Sequence, residues 1–169
     1  MNRTREAKKK FYREQGFTLV ELLIVVVILG ILAAVVVPQF SGSSKDAKVS
    51  ALKSDLSTIR GALELYALQH NDQYPDASDD GNKFRQQLTL YTNSSHQISV
   101  TVNSAYPYGP YIRHTFPKNP FIDDPNDAAA VKIDNGNQLG VYNIGGDEGW
   151  LYKPQTGEFV ANQSDYSKY

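Results

Sequence analysis

An acidic side chain inside an otherwise apolar run is the most chemically loaded feature of this 169-residue chain. Glu21 stands four residues after Phe17, and from Leu22 through Val37 no side chain carries a charge or a hydrogen-bonding group. In hydrocarbon an acidic residue costs a few kcal/mol, roughly 2.5–3.5 for Asp near a helix centre on insertion scales. At ~1.5 Å per residue the carboxylate lies about 6 Å into the segment. It needs a cationic partner there. The apolar segment supplies none, so the partner is a free amine or belongs to another molecule.

Other residues with chemistry to offer are weaker candidates. The absence of cysteine excludes a disulfide scaffold and Cys-based zinc sites. The motifs GxxxxGK(S/T), HExxH and GxSxG are missing. His70, His96 and His114 share neither helical nor hairpin spacing and read as separate surface or helix-end residues. Asp76-Ala77-Ser78-Asp79-Asp80-Gly81 partly imitates a calcium loop, yet Gln87 stands where an EF-hand places its bidentate Glu. A polar capping loop before a short helix is the preferred reading. Asp123, Asp124 and Asp127 form a second acidic cluster able to offer oxygens to calcium, set against a solvated turn around Pro125. The glycine-rich stretch from Gly145 to Gly149 reads as a tight turn between strands, with a backbone anion nest as the alternative. No catalytic site emerges. The expectation is a protein that is not an enzyme, with calcium as the one candidate cofactor.

The elements that must position Glu21 begin with charge. Residues 1–16 carry six basic and two acidic side chains, a net of +4, and the remaining 153 residues sum to -5. A small basic head before an apolar run is a targeting pattern. The acidic body argues against nucleic acid as a specific ligand, since phosphate binding relies on clustered Lys and Arg. Phe17 to Val37 spans 21 residues, close to the ~20 that cross a hydrocarbon core of ~30 Å. Three readings compete: a cleaved secretory signal, a plain anchor, and a helix that leaves the membrane for an assembly. The run exceeds the roughly 7–15 apolar residues of a secretory signal, and a plain anchor gives no reason for Glu21.

After Pro38 the pattern turns amphipathic. Val49, Leu52, Leu56, Ile59, Leu63 and Tyr66 form one helical stripe, with Lys48, Lys53, Asp55 and Arg60 off it. The pattern stops near Asn71-Asp72, and Pro75 closes it. A two-chain heptad seam is one reading of the stripe; covering by the chain's own head is the preferred one. Gly30 and Pro38 mark the weak point of this long helix. Residues 72–169 read as a loop-rich α+β head. A short helix is expected over 82–91 with Phe84, Leu88 and Tyr91 on one side, and a strand over 97–102. Further strands are expected at 131–133, 141–144, 150–152 and 158–160, the last two as an antiparallel hairpin around Pro154 to Gly157. The fold class is therefore α+β: a long N-terminal helix, transmembrane then amphipathic, packed against a small C-terminal antiparallel sheet.

The run from Gly16-Phe17-Thr18-Leu19-Val20-Glu21 through Gly30-Ile31-Leu32-Ala33-Ala34 to Val37-Pro38 closely resembles the N-terminal signature of type IV pilins and type II secretion pseudopilins. Tyr66 to Pro75 is similar to the end of the long helix in major pseudopilins, and Gly109-Pro110-Tyr111-Ile112 with Pro117 to Phe121 to their loop before the sheet. Lack of the C-terminal disulfide of many type IV pilins favours the pseudopilin branch, while the usual acidic calcium loop of major pseudopilins is not matched. The resemblance implies a pilin-like fold and cleavage after Gly16 by a prepilin peptidase. It also implies N-methylation of Phe17 and pairing of that new amine with Glu21 of a neighbouring subunit. By that resemblance the divisions are a cleaved leader 1–16, a transmembrane and assembly helix 17–37, its amphipathic half 38–71, and a head 72–169 that completes a globular domain with 45–71. The implied partners are further copies of the chain, the peptidase, an inner-membrane assembly platform and minor pilins or pseudopilins. The leader is expected in the cytoplasm and the head in the periplasm before assembly. The leading function is a filament subunit of protein export. A type IV pilus subunit for adhesion, motility or DNA uptake is the first alternative, and a membrane-tethered binding module the second.

Overall fold

Helix α1 (Leu19–Gln69) begins where the apolar run begins, and its two halves obey different rules. The computed structural model describes residues 16–76 and 80–169, with the side chains of residues 37–42 outside that description. The chain divides between Ser43 and Ser44 into two compact units, each considered by itself. In the first, residues Leu19–Val36 are long and apolar enough to cross a membrane, and no part of this stretch is buried.

In the second unit α1 buries the expected stripe from Leu52 onward, with Val49 half-buried at its start. Leu52, Leu56, Ile59, Leu63 and Tyr66 are all buried, joined by Ala62 and Ala67. The helix ends with His70 N–H shared between the carbonyls of Tyr66 and Ala67, and Asp72 N–H donates to Ala67 O. Asn71 and Asp72 take left-handed conformations (φ 56° and 60°), which short polar side chains tolerate better than most.

Helix α2 (Gly81–Thr89) is capped by Asp80, whose side chain accepts the Asn82 N–H at 2.8 Å, and it buries Phe84, Gln87 and Leu88. This agrees with the capping-loop reading of Asp76–Gly81, although residues 77–79 of that loop lie outside the described ones. Gly81 permits close approach: a Cβ there would stand 1.9 Å from the carbonyl oxygen of Val131. Tyr91, expected on the helix, instead starts β1 (Tyr91–Thr92), which pairs antiparallel with β2 (Ile98–Ser99). The strand expected over 97–102 shrinks to these two residues. Ser99 Oγ bonds Thr101 O and receives Thr101 N–H, so a local side-chain turn competes with the ladder.

A three-stranded sheet completes the core: β3 (Val131–Ile133), β4 (Trp150–Tyr152) and β5 (Phe159–Ala161), in that order. The β4–β5 hairpin is antiparallel as expected, with Gly157 at φ 72° closing its turn. A side chain at Gly157 would also meet the Tyr74 ring. The sheet is mixed, because β3 runs parallel to β4. Residues 134–149 supply the long return that a parallel pair needs. Trp150, Tyr152, Phe159 and Ala161 meet the α1 stripe, Phe84, Leu88, Ile112, Phe116 and Val131 in one cluster. The chain's own head thus covers the helix.

No strand forms over 141–144; these residues belong to the irregular return loop. Gly140, Gly145 and Gly146 adopt positive φ around them, and charged side chains take the backbone groups a ladder would use. Lys153, fully buried, donates from Nζ to the carbonyls of Gln138 (2.5 Å) and Val141 (2.6 Å), with Glu158 at 3.9 Å. Lys132 Nζ donates to the carbonyls of Asn143 and Gly145, both at 2.8 Å. In return Asp134 accepts the N–H groups of Gly136 and Asn143, and Glu158 that of Gly140. The loop is sorted by charge: ammonium groups on its carbonyls, carboxylates on its amides. The reading of Gly145–Gly149 as a turn between strands fails with the missing strand.

Candidate assembly site at the start of the long helix

Thr18 and Glu21 build the first turn of α1 between them. The Glu21 carboxylate accepts Thr18 N–H and Thr18 Oγ1–H on one oxygen, each at 2.8 Å, while Glu21 N–H donates to Thr18 Oγ1 at 3.2 Å. Leu22 N–H reaches Thr18 O at 3.2 Å. This is a capping box, which satisfies otherwise orphaned N–H groups of a helix start reciprocally. Thr18 is the residue that reading for charge misses. Its signal was present as Thr-x-x-Glu just before an apolar run.

The bonds to Glu21 are neutral. Its carboxylate is exposed, Phe17 beside it is 84% exposed, and the apolar side chains from Leu19 to Val36 all lie at the surface. Gly16 precedes the helix and Gly30 stands in open space on it. Pro38 falls within the bounds of α1, its side chain outside the described residues. The leader up to residue 15 lies outside them as well.

The remaining candidates do not gather. Asp124 spends Oδ1 on the N–H groups of Asn126 (2.8 Å) and Asp127 (3.4 Å), which opens a short 3-10 turn over Asp127–Ala129. Desolvation, then the charges of Asp124, Asp147 and Glu148, raise the Asp127 carboxyl above its ordinary value. Among the described residues no group of three or more His, Cys, Asp or Glu side chains is placed to hold a metal ion. His70 and His96, read as unrelated, come together: their rings stack with centroids 5.1 Å apart, and His70 is buried. Their separation of 26 residues in sequence hid a contact that the fold creates.

The N-terminal region, residues 12–37, matches the family model described as the prokaryotic N-terminal methylation motif. The chain is 36% identical to the type II secretion system core protein G of Klebsiella pneumoniae over 118 residues, covering 66% of this chain and 72% of the relative. It is 34% identical to the protein of the same name from Vibrio cholerae over 130 residues, covering 74% and 81% respectively. Identity reaches 51% with that of Pseudomonas aeruginosa, over 63 residues that cover 37% of this chain and 44% of the relative. No solved structure matches the chain. With an exposed apolar helix opened by a Thr18–Glu21 capping box, a head that covers the helix's second half, and two of these relatives aligned over 72% and 81% of their length, the chain belongs to the family of type II secretion system core protein G, the major pseudopilins.

Proposed function

We propose that the mature chain begins at Phe17 and polymerises through its apolar helix into a homopolymeric filament that serves protein export. The observation that carries this is Glu21: an exposed carboxylate at the head of an exposed apolar run, bonded within its own chain only to the neutral Thr18 among the described residues. In lipid a carboxylate without a cation is costly. The amine created by cleavage after Gly16 supplies that cation from a neighbouring subunit. Burial of the Leu19–Val36 surface among neighbouring copies then holds the helices together by packing.

The +4 leader stays in the cytoplasm under the positive-inside rule and the head faces the periplasm. Residues 1–16 are then the leader, 17–37 the assembly helix, and 45–169 the folded head with its amphipathic helix. A prepilin peptidase removes the leader and methylates Phe17, and an inner-membrane platform with minor pseudopilins starts the fibre. Intact-mass analysis of protein from its native membrane tests the processing. The expected product lacks residues 1–16 and carries one added methyl group. Retention of Met1, or a start after Ser43 as signal-peptide cleavage at Ser41-Gly42-Ser43 would leave, refutes it.

A further inference from the structure

The segment from Gln86 to Ile112 contains no Asp, Glu, Lys or Arg, so His96 is its one side chain that titrates near neutrality. Much of this segment forms an arm, Tyr91–Ile112, folded through the β1–β2 pair and backbone bonds between Thr92 and Tyr108. His96 sits at its turn with φ 59°, and faces the end of α1. Tyr66 Oη lies 2.7 Å from His96 Nδ1, and His96 Nε2 lies 3.1 Å from Gln73 Oε1. With Gln73 accepting from Nε2–H, the geometry lets Nδ1 accept from the Tyr66 hydroxyl, an arrangement that suits a neutral imidazole. His70 is arranged likewise. Its Nδ1–H donates to Tyr66 O at 2.8 Å, and its Nε2, buried, makes no hydrogen bond. The Tyr66 ring stacks on His70 at 3.8 Å, and Tyr108 meets His70 edge-on at 5.0 Å.

We propose that the His70–His96 pair is an acid-released clasp that holds the Tyr91–Ile112 arm on the end of α1 near neutrality and frees it as the surroundings acidify. A proton on His70 has to enter a buried site. One on His96 turns Nδ1 into a donor aimed at the Tyr66 hydroxyl, whose own proton then loses its acceptor. Both together put two positive rings 5.1 Å apart. The groups facing the pair are few. Burial pushes His70 below the ordinary histidine value, against the opposing pull of the Tyr66 and Asn93 carbonyls. Burial and then the His70 charge lower His96, with Asp76 raising it and Lys83 lowering it. Tyr66, Tyr108 and Tyr111 surround the rings, and burial raises the Tyr66 and Tyr111 hydroxyls further above this range. Both histidines bind protons more readily once released, so the docked arm is fully stable above pH ~6.5 and loses stability as pH falls towards the lowered values. The released arm carries Val100 and Val102, 77% and 59% exposed, so acidity sets where an uncharged apolar patch stands.

Hydrogen exchange of the intact chain in detergent micelles, corrected for intrinsic rates, tests the clasp. The opening equilibrium at the Tyr111 and Ile112 amides, which tie the arm to Leu88 O, is expected to rise roughly tenfold per pH unit for each proton taken up below pH ~6.5. The Leu151 and Val160 amides of the sheet are expected to stay protected. His96→Asn tolerates the positive φ and removes one titrating ring; its arm slope is expected to fall to that of His70 alone. Ring titration of the unaltered protein by NMR, which depends on no variant, should place both histidines below the ordinary value. Arm and sheet amides opening together, an arm indifferent to pH, an undiminished slope in His96→Asn, or ordinary titration of both rings each overturns the proposal.

Discussion

Glu21 is held by Thr18 within its own chain, and this makes the carboxylate both insertable and available. The capping box satisfies one oxygen through two neutral donors, which leaves the net charge that the proposed pairing with a neighbour's amine requires. Removing one partner of a low-dielectric ion pair costs roughly 3–5 kcal/mol. Glu21→Leu is therefore expected to insert normally and yet assemble poorly, read as filament yield against membrane-inserted subunit; normal yield would refute the pairing. Lys153 shows the opposite economy, a charge spent inside the head. Lys153→Met leaves two carbonyls and Glu158 without their cation, and is expected to destabilise the head by about 3 kcal/mol in denaturant unfolding, a cost set by hydrogen bonds to a charged group at ~1.5–3 kcal/mol each. Glu21 was legible in sequence because a charge contradicts its apolar surroundings. Lys153 was not, since a lysine between a strand and a turn resembles any solvated one until the loop folds over it. His70 and His96 were hidden for a related reason: spacing reports helical and hairpin neighbours, while their contact depends on how an arm docks.

At the scale of elements, periodicity carried what tertiary context did not override. The stripe from Leu52 to Tyr66 is buried as a helix face, and the strands at 131–133 and 150–152 form where β-rich residues meet turn signals. The stretch 141–144 has comparable composition and forms no strand, because Lys132, Lys153 and Asp134 claim its backbone groups. Weakness within α1 is also an element property. Pro38 removes one hydrogen bond and crowds the preceding turn, ~3 kcal/mol in a helix interior. Gly30 adds up to ~1 kcal/mol relative to Ala, and the β-branched run of Val35, Val36 and Val37 disfavours helix further. The described helix runs unbroken from Leu19 to Gln69, as lipid requires, since exposed backbone finds no water there; we propose that among packed neighbours this stretch extends. Cryo-electron microscopy of filaments is expected to show an extended segment between Gly30 and Pro38 in the unaltered protein. Pro38→Ala is expected to restore helix there and change the rise per subunit. An unbroken helix and the same rise in both would remove any assembly role for the weak point.

The molecule as a whole joins two solvents in one chain. Among the described residues its first unit exposes an apolar surface with Glu21 as its single charged residue, and its second holds an acidic, loop-rich domain around one core. That division was readable from composition alone, because hydrocarbon and water select opposite side chains. The sheet's mixed order was not, since pairing direction depends on the path of a loop that carries no periodic signal. The same loop bears on how the protein ages. Asn135-Gly136 is the chain's one Asn-Gly step, the dipeptide most prone to lose ammonia when the glycine nitrogen attacks the asparagine side-chain carbonyl. Here that Gly136 N–H is donated to Asp134 at 3.0 Å, inside a loop whose carbonyls Lys132 and Lys153 hold. The negative charge beside the nitrogen opposes its deprotonation, and the fixed backbone keeps it from turning towards its target. Folded protein incubated at mildly alkaline pH is expected to keep Asn135 intact on peptide mapping, whereas Lys153→Met should accumulate aspartate and isoaspartate there. Equal conversion in both would mean that the lysines fix the loop's outline without fixing its chemistry. For a subunit that must last as long as the fibre it is built into, a charge-sorted loop then preserves the covalent chain itself.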